Sequence, residues 1–238
     1  MNKEKVFAFS LLIAAIFVIG CNMSNDNAKK GQIMGNKKRI ILLGASVGKA
    51  WNLKEFPLRM KPDQYEFESI AFYEYDKTEA LEEILIRPKR KFRLTKSYIK
   101  GFFAPSPQRP DVIIIKECAA YFPGDFITYT ELMKKWAKRI RNANIEVVLA
   151  TVVPVTPERN EKRKGQMESI REFNDWIREY AKEENIALLD LEAALRRDET
   201  GRFLREDLTS GDGLHLNTKA YDILDTLLRE TLLRYSNR

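Results

Sequence analysis

Short runs of isoleucine, valine and leucine, each followed by a segment of helical period, constrain this chain more than any other feature. Residues 39–44 (RIILLG) are apolar on successive positions and stop at glycine, as a strand covered on both faces does. Residues 65–71 read as a second strand and residues 111–115 (DVIII), after Pro107 and Pro110, as a third. Residues 145–153 (IEVVLATVV) read as a fourth, closed by Pro154, and residues 186–191 as a short fifth. Between them, residues 78–86 carry good helix formers. Residues 126–142 place Leu132, Met133, Trp136 and Ile140 on one helical face, and residues 167–184 do the same with Ile170, Phe173, Asn174 and Ile177. Residues 218–235 form a closing helix. This alternation predicts an α/β fold, a parallel sheet with helices on both faces. Ligands of such sheets bind beyond the carboxyl ends of the strands.

The N-terminus is read as an address. Lys3 and Lys5 precede an apolar run over residues 6–20, too short for a comfortable membrane span and followed by Cys21. A small residue before a cysteine resembles a bacterial lipobox. The expectation is a lipoprotein signal peptide over residues 1–20, lipidation of Cys21, and export to a bacterial membrane surface, periplasmic or cell-surface. Several acyl chains on one cysteine make a stable anchor, at about 0.8 kcal/mol per buried methylene. Residues 21–38, polar after the cysteine, read as a tether. Residues 39–238 remain as one domain large enough for a core.

Cys118 is the other cysteine, so lipidation of Cys21 leaves no internal disulfide. Cys118 ends an apolar run and is expected in the core. The net charge is +7, much of the excess lying in Arg87, Lys89, Arg90, Lys91, Arg93, Lys96 and Lys100. Such a stretch suits nucleic acid, anionic lipid or acidic polysaccharide, or is a solvated loop. Export argues against nucleic acid.

Chemistry converges on two places. Ser46 follows the first strand in Gly44-Ala45-Ser46-Val47-Gly48, at a strand-to-helix turn, where it is either an N-cap or a nucleophile. The loop lacks the lysine and the glycine spacing of nucleotide sites. His215, the single histidine of the chain, stands in Asp212-Gly213-Leu214-His215-Leu216-Asn217 ahead of the last helix. Both places fall at the carboxyl edge of the predicted sheet. The order Ser, Asp, His occurs in several unrelated triads.

With Lys219-Ala220-Tyr221 following, these motifs resemble the SGNH (GDSL-type) hydrolases over roughly residues 38–238. The resemblance implies a flavodoxin-like three-layer α/β/α sandwich on a five-stranded parallel sheet. It implies Ser46 as nucleophile, His215 as general base and Asp212 as its orienter, with no metal and no cofactor. The implied substrates are acylated small molecules, glycans or lipids, the implied state a monomer. The same triad also serves O-acyltransferases. Two motifs depart from the family. Ala45 replaces the acid of Gly-Asp-Ser, which is neither nucleophile nor base. The oxyanion glycine and asparagine have no counterpart in Phe72-Tyr73-Glu74-Tyr75 and Lys116-Glu117-Cys118-Ala119. Oxyanion or substrate candidates are therefore Ser46, Tyr73, Glu74, Lys116, Glu117 and Cys118. The hole is either rebuilt from backbone N–H groups near Tyr73 and Cys118, supplied with charge by Lys116, or lost, leaving a domain that binds a glycan or a protein. Glu117 is expected to pair with Lys116 or an arginine, or to meet a substrate hydroxyl or amine. Tyr73, Tyr75, Tyr121 and Phe122 are expected near the same edge, as core or as a surface for a sugar.

Overall fold

The structure, a computed structural model, describes residues 37–61, 64–86 and 109–236. The signal-like run, Cys21, the tether up to residue 36 and the basic stretch over residues 87–100 lie outside the described residues.

Five strands pair in parallel, β1 (Lys38–Gly44), β2 (Tyr65–Ala71), β3 (Val112–Lys116), β4 (Glu146–Ala150) and β5 (Ala187–Leu189), in the order β2-β1-β3-β4-β5. This is the flavodoxin-like order of doubly wound folds. The eight α-helices of the described residues are α1 (Ser46–Ala50), α2 (Phe56–Met60), α3 (Thr78–Ile86), α4 (Phe126–Asn142), α5 (Pro157–Lys162), α6 (Gln166–Glu183), α7 (Leu191–Leu195) and α8 (Thr218–Ser236). Alternate strand residues feed opposite faces, as the two-residue period of a strand requires. Ile40, Leu42, Ile114 and Val148 join Trp51, Leu224 and Leu228 in one core. Leu43, Ile113, Ile115 and Leu149 join Trp136, Phe173 and Ile177 in the other. Two cores on one sheet make three layers.

The expected fourth and fifth strands are too long. Thr151 N–H still donates to the Leu189 carbonyl of β5 at 3.1 Å, but β4 goes no further because the backbone of Val152 is taken elsewhere. The Asn174 amide accepts from Val152 N–H at 2.7 Å and donates to its carbonyl at 2.9 Å. Val152, Val153 and Val155 stay buried, filling core rather than extending the ladder. β5 stops because Asp190 caps α7, accepting from Ala193 N–H at 3.1 Å. Short α2, α5 and α7 were not expected; five or six residues show no period.

Candidate active site

Ser46 is not an N-cap. Ala45 holds that position, and Ser46 is the first helical residue of α1, its side chain making no capping bond. Its Oγ instead lies 3.1 Å from His215 Nε2, across 169 residues of sequence. His215 Nδ1 lies 2.5 Å from Asp212 Oδ2. Ser46, His215 and Asp212 therefore form one chain of contacts at the carboxyl edge of the sheet.

Packing of α1 against α8 fixes the Ser46 end. Ala220, Leu224 and Leu228 of α8 are fully buried. Tyr221 Oη donates to the Val47 carbonyl at 3.3 Å. Asp225, almost wholly buried, accepts from Trp51 Nε1 at 2.7 Å and from Arg59 Nε at 2.5 Å. The histidine end is a tight loop. Asp212 Oδ1 accepts from Leu214 N–H at 2.9 Å and His215 N–H at 2.7 Å, so one carboxylate both builds the loop and orients the ring. Burial opposes its charge, but these N–H groups and the imidazole outweigh it and hold the Asp212 carboxyl at about 2. Thr209 Oγ1 accepts from Gly211 and Gly213 N–H at 3.2 and 3.1 Å, and the Asn217 amide donates to the Asp207 and Thr209 carbonyls at 2.9 and 3.2 Å. Gly213, at φ +74°, is required: a Cβ there would lie 2.4 Å from Thr156 Oγ1.

The remaining candidates are not drawn into the triad. Tyr73 and Glu74 lie beyond the end of β2 and are exposed. Lys116, Glu117 and Cys118 are buried, the first two at 1% and 0% exposure. Lys116 Nζ donates to the Glu117 carbonyl at 2.8 Å, and burial pushes the amine down. The expected pairing of Glu117 is corrected: its partner is Lys77, Nζ to Oε2 at 2.6 Å, with neither side chain exposed. Burial pushes the Glu117 carboxyl up, against Lys77, Lys116 and the Cys118 N–H, which favour its charge. Lys116 and Glu117 are therefore engaged with protein and closed off from substrate. Of the expected donors, the Ser46 N–H lies at the start of α1, where helices leave such groups without an intrahelical partner.

The aromatic residues are mostly core. Tyr75 stacks on Tyr129 at 3.6 Å and meets Tyr121 edge-on at 5.6 Å, while Phe122 packs on Tyr129 and Phe173. Lys77 Nζ sits 5.0 Å from the Tyr121 ring and 5.6 Å from that of Tyr75. Tyr73 alone of the four expected aromatics is largely exposed, at 59%. Lys77 was missed because Asp76-Lys77-Thr78 reads as an ordinary polar helix start; nothing local marks it as buried.

A family model for the GDSL-like lipase/acylhydrolase family matches residues 94–223, which include Asp212 and His215 but not Ser46. No curated protein matches the chain by sequence. Among solved structures, a GDSL-like lipase from Bacteroides thetaiotaomicron is 18% identical with a TM-score of 0.59, over 83% of this chain and 89% of that one. A lipase/acylhydrolase from Enterococcus faecalis is 15% identical with a TM-score of 0.56, over 83% and 96% of the two chains. An acetylxylan esterase from Geobacillus stearothermophilus is 11% identical with a TM-score of 0.57, over 83% and 95%. At these identities the structures share the fold; the family model spans more than half of the chain, and the chain belongs to the GDSL-like lipase/acylhydrolase family.

Proposed function

We propose that this protein is a lipid-anchored serine hydrolase that cleaves ester-linked acyl groups from envelope glycans or lipids. The observation that carries the reading is the unbroken chain Ser46–His215–Asp212 at 3.1 and 2.5 Å. A serine hydroxyl is a weak nucleophile until a base takes its proton. His215 Nε2 accepts that proton as Oγ attacks the ester carbonyl, and returns it to the leaving alcohol oxygen as the tetrahedral intermediate collapses to an acyl-serine. Water then attacks the acyl-serine, giving a proton to His215, which passes it to Ser46 Oγ as the C–Oγ bond breaks and the carboxylic acid leaves. Asp212 stays ionised throughout and stabilises the imidazolium. The Ser46 N–H, with the positive end of α1 behind it, supports the oxyanion.

Anchoring through Cys21 and export favour substrates that stay in the envelope. The similarity in fold to an acetylxylan esterase supports an acylated carbohydrate by analogy alone. A second reading, a domain that binds a glycan or partner without turnover, is favoured by the burial of Lys116 and Glu117, which leaves neither side chain to support an oxyanion. Full-length protein in detergent, treated with a fluorophosphonate, is expected to take label on Ser46, and Ser46→Ala to take none. A folded protein that takes no label would establish the second reading over the first. For the anchor, Cys21→Ser is expected to move the protein out of the membrane fraction; retention there would sink the lipoprotein reading.

A further inference from the structure

Arg159, the third residue of α5, lies against the catalytic loop. A Cβ on Gly213 would stand 3.0 Å from Arg159 Cβ, so the arginine stem packs beside the bare α-carbon between Asp212 and Leu214. The Gly213 carbonyl accepts from Thr156 N–H at 3.0 Å, which fixes the start of α5 on the same loop. Other arginines on this side of the fold are engaged: Arg178 and Arg202 hold Glu192, and Arg205 holds Asp207. Arg159 is not. Among the described residues its guanidinium has no hydrogen bond and no ion pair, and its Nε is shut off from solvent without an acceptor. A shielded donor left without a partner destabilises the fold. Native folds keep few such groups, and each one calls for a ligand, a water or a role.

We infer that Arg159 binds an anionic group, carboxylate or phosphate, on the acylated carbohydrate whose ester Ser46 attacks. The two Nη of Arg159, without a partner among the described residues and not shut off as Nε is, match either group through two parallel N–H bonds, which a lysine does not supply. Positive charge continues along the segment: Arg159, Lys162, Arg163 and Lys164 stand against Glu158 and Glu161. The position, against the loop that carries His215 and at the edge where sheets of this class bind ligands, favours an anion on the substrate over one at a remote site. The inference rests on the hydrolase reading and names its substrate class.

The test uses full-length protein in detergent and three probes: galactose, galacturonic acid and galactose 6-phosphate. Binding is measured by calorimetry, which needs no turnover. One or both anionic sugars are expected to bind about tenfold or more tightly than galactose, a charge-assisted bidentate contact being worth at least that factor. Which of them does so separates a carboxylate from a phosphate. Arg159→Met is expected to close the gap and Arg159→Lys to restore part of it, with the ratio of anionic to neutral affinity as readout. Raising salt should weaken the anionic sugars selectively in the wild type, which tests the contact without any variant. Equal affinity for all three sugars in the wild type, or an unchanged ratio in Arg159→Met, would overturn the inference. Failure of fluorophosphonate labelling with this ratio intact would instead remove the hydrolase reading and leave an anionic-sugar binder.

Discussion

Alanine in place of His215 is expected to lower kcat toward p-nitrophenyl acetate on the order of 10⁴-fold, since a positioned general base supplies up to that factor. The chain holds no second histidine to take over. Asp212→Asn separates loop building from ring orientation. An asparagine Oδ1 can keep the Leu214 and His215 N–H bonds, so the loop is expected to hold. Its Nδ2 would donate to His215 Nδ1, forcing the proton onto Nε2, the atom that must accept from Ser46. A loss approaching that of His215→Ala is therefore expected at unchanged thermal stability, on the order of 10³–10⁴-fold. Steady-state rates with thermal unfolding check both variants. Wild-type rates in His215→Ala would remove the histidine from the mechanism.

Removing one partner of the Lys77–Glu117 pair is expected to have the largest effect on stability. Lys77→Met leaves a fully buried Glu117 with one carboxylate oxygen already unpartnered. Breaking such a pair costs about 3–5 kcal/mol, whereas replacing both members with apolar residues is often neutral. The double variant Lys77→Met/Glu117→Leu is expected to recover most of the loss, and a double-mutant cycle in urea measures the coupling. A single variant that unfolds within about 1 kcal/mol of the wild type would mean that the pair is not coupled as its geometry indicates.

The elements were legible wherever a residue pattern is long enough to show its period. The apolar runs of β1 and β3 and the faces of α4 and α6 fall where expected, and Asn174 takes its predicted buried position. The fourth strand was overread because residues 151–153 are as apolar as those before them. What ends the strand is an amide from α6, 22 positions away, that takes the backbone of Val152. The triad was legible because each member sits in a short motif: Ser46 at a strand end, Asp212 and His215 three apart in one loop.

Burial and pairing of charge were not legible. Lys77, Lys116 and Glu117 are as polar as any surface residue, and the rings of Tyr75, Tyr121 and Trp136, all within 6 Å of Lys77 Nζ, help take Lys77 and its partner out of water. Arg159 gave no signal at all, since its significance comes from a glycine 54 positions later that leaves room for its stem. The sequence by itself determined the sheet, its carboxyl edge and the two motifs whose Ser46, Asp212 and His215 meet there, because hydrophobic period and short motifs are local. Only the tertiary structure decided which charges are buried, which N–H groups remain for an oxyanion and which guanidinium lacks a partner. Those depend on which groups meet after the chain has closed, and no local pattern encodes that.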